Sequence, residues 1–236
     1  MCTVTWAGHA SGYTLWFNRD EQRTRPPAEP PRLQQRDGVA VLAPRDPAGG
    51  GTWLAVNAHG LTVGLLNYYA AGHAAPSGRP RSRGLLVADL IALPTAQAVW
   101  ARADALDRSA YPPFILLVLG PDGTAGAGWW DGVRWERRAL DYADRPITTS
   151  SYRSAEVVAR RREQFRGMEA GGDLRAYHTS RDALGDAFSV WMSRPDAHTV
   201  SLSQITVDPA QVQFAYSARG PDDRPGPQVV LALPRG

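Results

Sequence analysis

The sequence predicts an α+β protein, two stacked antiparallel sheets with helix pairs outside them. Two observations lead there. β-prone runs come first, then two helix patterns, more strands, a third helix and a closing set of strands. Short turns containing glycine join neighbouring β-prone runs, as in antiparallel hairpins. Nothing in the composition divides the 236 residues and there are no internal repeats, so one domain over 1–236 is expected.

Residues 2–6 (CTVTW) and 13–17 (YTLWF) are β-prone around the turn His9-Ala10-Ser11-Gly12, which predicts a first hairpin ended by Asn18-Arg19-Asp20-Glu21. The stretch RTRPPAEPPRLQQRD carries four prolines and reads as an extended loop, since proline cannot donate within a sheet. After a short strand at 39–42, Thr52–Val56 and Leu61–Leu66 flank Asn57-Ala58-His59-Gly60 as a second hairpin, and Asn67 ends its last strand. Leu85, Leu86, Leu90 and Ile91 give a helix stopped by Pro94. Thr95 caps the next, with Val99, Ala103 and Leu106 at helical spacing. Strands follow at 114–119, 125–130 and 133–139, then a helix from Ser154 to Met168 ended by Gly171-Gly172. Ala183–Met192 reads equally as helix or strand, and 201–207, 211–217 and 229–233 close the chain as strands.

The chain is 43% hydrophobic and 21% charged, the balance of an ordinary globular protein. All 26 basic residues are arginine, a bias that a GC-rich bacterial genome would produce, and the net charge of +3 is modest. The densest run, Arg160-Arg161-Arg162 beside Glu156 and Glu163, reads as a solvated helix face, so no nucleic-acid partner is expected. There is no signal peptide pattern and no apolar run near the roughly 20 residues that span a bilayer. The expectation is a cytoplasmic protein without membrane insertion.

Most catalytic patterns are missing. Gly8-His9-Ala10-Ser11-Gly12 has the wrong spacing for a nucleophile elbow, and a phosphate loop needs a lysine. The histidines His9, His59, His73, His178 and His198 show no metal-ligand spacing, and His178, Ser180 and Asp182 lie too close in sequence to suggest a triad. No metal or organic cofactor is called for.

Cys2, the sole cysteine, stands apart. Removal of Met1 would put a thiol and a free α-amine on one residue, and such an amine, with a pKa of roughly 7.7–8.0, serves as the base for its own nucleophile. The first hairpin brings Arg19 back beside Cys2, where a guanidinium lowers a thiol pKa. Asp20 is placed to hold the protonated amine, and Asn67 to donate to an oxyanion. Each has a plainer reading: a chance cysteine, an ion pair at a strand end, a turn asparagine.

Taken together, MC at the start, NRDE at 18–21, GGTWLA at 50–55, GLLNYY at 64–69 and Arg83-Gly84 resemble the NRDE family, of transport and Golgi organisation protein 2 type. That family looks related to N-terminal nucleophile (Ntn) hydrolases. NAHGLTVGLLNYY is similar to the matching stretch of bile salt hydrolases and penicillin V acylases. The resemblance implies a four-layer αββα sandwich and hydrolysis of a carbon–nitrogen amide bond, or acyl transfer, with Cys2, Arg19, Asp20 and Asn67 as catalytic residues. Asn18, Tyr68 and Ser151 are then the substrate-binding candidates. The acylases separate their arginine and aspartate by two residues, whereas Arg19 and Asp20 are adjacent. A later family asparagine corresponds to Ser151, and a C-terminal arginine to Val200.

The expected partner is a small acyl or amide substrate. The loops 22–37 and 70–82 would frame its pocket, and Trp6, Trp53, Tyr68 and Tyr69 would suit an apolar acyl group. The competing expectation is a haem- or small-molecule-binding or trafficking protein on the same fold, with His9, His59 or Cys2 ligating iron.

Overall fold

The computed structural model describes residues 1–69, 80–169 and 172–236. Thirteen strands form two antiparallel sheets among these residues. In chain order they are β1 (Cys2–His9), β2 (Gly12–Gln22), β3 (Glu29–Arg36), β4 (Val39–Arg45), β5 (Leu54–Asn57), β6 (Thr62–Asn67), β7 (Phe114–Leu119), β8 (Ala125–Trp130), β9 (Trp135–Leu140), β10 (Ile147–Thr149), β11 (Ala197–Val207), β12 (Gln211–Arg219) and β13 (Pro225–Pro234). The helices are α1 (Arg83–Leu90), α2 (Ala96–Asp104), α3 (Ser154–Glu169) and α4 (Leu174–His178). The six-stranded sheet runs β10-β1-β2-β11-β12-β13 and the seven-stranded sheet β3-β4-β5-β6-β7-β8-β9.

Strand alternation builds the layers. Val4, Trp6, Leu15 and Phe17 of the six-stranded sheet pack face to face with Leu54, Val56, Leu66 and Leu117 of the seven-stranded one. The opposite face of the seven-stranded sheet, Val41, Ala55, Val63 and Leu65, is covered by Leu86, Val87, Leu90 and Val99 of α1 and α2. α3 and α4 cover the outer face of the six-stranded sheet, where Phe165 and Tyr177 pack with Val190. The result is the αββα sandwich that the resemblance implies and the element order permits.

Both hairpins and the Thr95 cap, whose hydroxyl accepts from the Ala98 N–H at 3.1 Å, fall where the sequence places them. Two motif glycines also find a reason. A Cβ on Gly51 would lie 2.2 Å from the Gly84 carbonyl carbon, so GGTWLA and Arg83-Gly84 meet backbone to backbone, and the Thr52 N–H donates to the Gly84 carbonyl at 3.1 Å.

The structure corrects three expectations. Residues 29–36 of the proline-rich segment are the strand β3, not a loop. It lies at a sheet edge, and its register shifts between Glu29 and Arg32, around Pro30 and Pro31. Ala183–Met192 is neither helix nor strand. The Arg160–Arg162 run is not wholly solvated, because Arg161 is fully buried. His73, Gly171 and most of the predicted 70–82 loop lie outside the described residues.

Candidate active site

The β1–β2 register sets Cys2 opposite Arg19, and the β1–β10 register sets it opposite Thr149, at the end of the sheet where the chain begins. The Met1 carbonyl accepts from the Asp20 N–H at 3.0 Å, and the Cys2 N–H donates to Thr149 Oγ1 at 3.2 Å. The Met1 ammonium lies 3.4 Å from the Asp20 carbonyl and 3.2 Å from the Tyr69 hydroxyl. Asn67 Nδ2 donates to that same hydroxyl at 3.3 Å. Thus the end of β6 and the start of β1 converge on Tyr69, a residue that sequence reasoning took for an apolar wall. Its signal was present in the doubled tyrosine after Asn67.

Cys2 is buried, and burial pushes its thiol up to about 11, with the charge of Asp20 adding. The terminal ammonium, a backbone hydrogen bond from Asp20 and the Arg19 guanidinium pull the other way. With Met1 in place the thiol is therefore protonated at neutral pH. Burial works against the charged form of the Met1 amine, yet Cys2, Tyr69 and Asp20 together raise its pKa above the ordinary value. Arg19 is itself buried, stacked 4.2 Å over the Trp53 ring and 3.3 Å from Glu21, which fixes the guanidinium. A second cation, Arg83 at the start of α1, interacts electrostatically with Cys2 and Tyr69, and it donates to the Pro113 carbonyl at 2.8 Å.

Adjacent residues on a strand face opposite ways, so Arg19 shares the face of Cys2 while Asp20 points toward the helices. There Asp20 Oδ1 accepts from the Thr199 hydroxyl at 2.6 Å, and Oδ2 lies 3.7 Å from Arg161 Nη1 with no hydrogen-bond donor of its own. The Asp20 backbone, rather than its carboxylate, holds the amine of Met1. Arg161 also donates to Thr3 Oγ1 at 3.0 Å, to Thr148 Oγ1 at 3.2 Å and to the Ser189 carbonyl at 2.7 Å.

Asn18 belongs to this inner layer and not to a substrate surface, which corrects its expected role. Its Nδ2 donates to the His178 and Val190 carbonyls at 2.8 and 3.0 Å, so Oδ1 is the acceptor for His178 Nδ1–H at 2.9 Å. His178 Nε2 then accepts from the Thr5 hydroxyl at 2.8 Å. Burial holds His178 down to about 3, so it is a neutral, satisfied core histidine.

A cavity of about 200 Å³ opens beside this end of the sheet, lined by Tyr68, Tyr69, Ile115, Trp129, Thr149 and Arg162 among others. Cys2 does not line it, but Thr149, its partner on β10, does. Of the aromatic residues expected there, Trp6 is instead packed between the sheets and Trp53 lies under Arg19, while Trp129 is the one that sequence reasoning missed. Ser151 lies after β10, its hydroxyl 3.4 Å from Met1 Sδ. Val200 falls in a bulge of β11 between Thr199 and Ser201. His9 ends the strand that Cys2 begins, about 23 Å away at ~3.3 Å per residue, and His59 sits in the β5–β6 turn, at the far end of β6 from Asn67. Among the described residues no group of three or more acidic, histidine or cysteine side chains could hold a metal, and no helix is long and apolar enough to cross a membrane.

Solved structures share this architecture. A penicillin V acylase from Agrobacterium tumefaciens superposes with a TM-score of 0.55 at 11% identity, over 92% of this chain and 83% of that one. A variant of the conjugated bile acid hydrolase from Clostridium perfringens gives 0.56 at 11% identity, over 99% and 92%. The Caenorhabditis elegans ortholog of N-acylethanolamine-hydrolyzing acid amidase gives 0.53 at 10% identity, over 87% and 92%. The fold is that of the Ntn hydrolases. Within it, the chain belongs to the Transport and Golgi organisation 2 family, whose model matches residues 1–130. None of the curated proteins matches it.

Proposed function

We propose that the chain, once Met1 is removed, is a cysteine Ntn hydrolase or acyltransferase acting on a carbon–nitrogen amide bond. The observation that supports this best is the register Cys2↔Arg19 at the same sheet end as Asn67 and Tyr69. Cys2 thus pairs with Arg19 across the hairpin, and Asn67 reaches the Met1 amine through the Tyr69 hydroxyl. Removal of Met1 turns the Cys2 nitrogen, now a donor to Thr149, into a base beside its own sulfur. Sγ attacks the substrate carbonyl, and its proton passes to the Cys2 amine. Asn67 Nδ2 and the Asp20 N–H, which already meets a carbonyl oxygen, stabilise the oxyanion. The tetrahedral carbon then collapses, the C–N bond breaks, and the leaving amine takes the proton from the Cys2 ammonium. Water or another acceptor resolves the thioester. Asp20, backed by Arg161, acts through its charge and its backbone.

The Tyr68 cavity, lined by aromatic and aliphatic side chains together with Thr148, Thr149, Ser154 and Arg162, supports a small-molecule substrate that is part apolar and part polar. The test is mass spectrometry of the Met1-free chain after exposure to p-nitrophenyl acetate. One acetyl group on Cys2, lost in Cys2→Ala, is the expected result. An unmodified Cys2 contradicts the reading.

A further inference from the structure

Met1 fills a pocket of its own. Its side chain is buried against Met192 and Ala197, with Tyr69 alongside. Each polar atom of the residue is met: the ammonium by the Asp20 carbonyl and the Tyr69 hydroxyl, the carbonyl by the Asp20 N–H. Even the thioether has donors around it, with the hydroxyls of Ser151 and Ser150 at 3.4 and 3.6 Å and Arg194 Nη1 at 3.6 Å. Ser150 already donates to the Tyr152 carbonyl at 2.7 Å, and Arg194 pairs with Asp196 through Nε and Nη2. Among the described residues that leaves the Ser151 hydroxyl and Arg194 Nη1 as the donors with nothing better than a sulfur to meet.

A thioether is a weak acceptor, so this pocket floor gives more to an amide or carboxylate oxygen than to its present occupant. The walls persist without Met1, because Met192 is held by Thr199 Oγ1 at 2.9 Å and Ala197 lies in β11. Excision of Met1 therefore empties a site shaped for an L-α-aminoacyl group, next to Cys2.

We infer that this vacated pocket receives the acyl half of the substrate, an L-α-aminoacyl group with a free ammonium and an unbranched side chain of methionine or glutamine length. The inference rests on the proposed hydrolase reading. The substrate ammonium takes the place of the Met1 ammonium on Asp20 and Tyr69. Its carbonyl sits against the Asp20 N–H, moved from bonding to contact distance of the freed Cys2 amine, and its side chain ends at Ser151 and Arg194. Cys2 Sγ forms the thioester as the amide C–N bond breaks, the leaving amine takes the proton held on the Cys2 nitrogen, and water releases the amino acid. The cavity beside Tyr68 is then left for the amine half.

The experiment uses the Met1-free chain, checked by intact mass, with aminoacyl coumarylamides as probes: L-methionyl, L-glutaminyl, D-methionyl, N-acetyl-L-methionyl and L-valyl. Coumarin release from the L-methionyl and L-glutaminyl probes at least tenfold faster than from the other three is expected. In Arg194→Met the preference for glutaminyl over valyl should fall at least fivefold. Equal or faster release from the N-acetyl probe overturns the inference. So does no release from any probe while p-nitrophenyl acetate still acylates Cys2, an outcome that leaves the nucleophile reading standing. Failure of both reagents overturns the two together.

Discussion

On the seven-stranded sheet, α1 and α2 lay Leu86, Val87, Leu90 and Val99 onto Val41, Ala55 and Val63, an interface mostly of hydrocarbon, with Asn57 tying the end of α1 through the Ile91 and Leu93 carbonyls. On the six-stranded sheet, α3 and α4 lay Arg161 and His178 onto Thr3, Thr5, Asn18, Asp20, Thr148 and Thr199. Both layers are buried, yet only the second sits behind Cys2. Buried polar networks weaken steeply when one member is lost. The contrast separates a layer that stabilises from a layer that also orients the chemistry.

The comparison breaks most sharply at Arg161. Arg161→Met leaves the Asp20 carboxylate buried without a cation and should destabilise the fold by about 3–5 kcal/mol in chemical denaturation. Adding Asp20→Asn should return part of that loss, and a single-variant loss below about 1 kcal/mol would show that the pair is not coupled. In the apolar layer, Leu86→Ala should remove about 2–5 kcal/mol while leaving the pH profile of Cys2 alkylation unchanged.

The pH dependence of stability reads the polar layer directly. His178 has a folded pKa of about 3, below its unfolded value of 6.5, so between these the unfolded chain binds the extra proton. Its contribution is fully present above pH 6.5 and is lost as the pH falls toward 3, about 2 kcal/mol of it between pH 7 and pH 5. His178→Gln should flatten that limb in denaturation curves measured at several pH values. Thr199→Val removes two buried hydrogen bonds, the one its hydroxyl donates to the Asp20 carboxylate and the one it accepts from the Met192 N–H, and should cost about 2 kcal/mol by denaturant melt.

What could be read from the sequence divides along the same line. The apolar layer follows from periodicity: Val99 and Ala103 at helical spacing, Thr95 before them, proline after the preceding helix. The hairpins follow from β-prone runs around glycine turns, and with them the pairing of Cys2 and Arg19. The polar layer does not, because a buried arginine in the run Arg160-Arg161-Arg162 has the same letters as a solvated one. Only Val157 and Phe165, one turn to either side of Arg161 on the same buried face, hint at its direction. Asn18 was drawn toward the substrate by its motif, though its amide is used up by His178. β3 was obscured by proline, which excludes a central strand but not an edge one. The pocket of Met1 is invisible in sequence, since Tyr69, Ser151, Met192 and Arg194 come together only in the fold.

The central claim is that the freed α-amine of Cys2 activates its own thiol. The most direct measurement is the rate of Cys2 alkylation by iodoacetamide against pH, in the Met1-bearing chain and in the Met1-free chain. With Met1 present the rate should climb toward a midpoint of about 11, as burial dictates. Without Met1 the midpoint should fall by at least about 2 units, with rapid labelling at neutral pH. Superimposable profiles in the two forms would contradict the account.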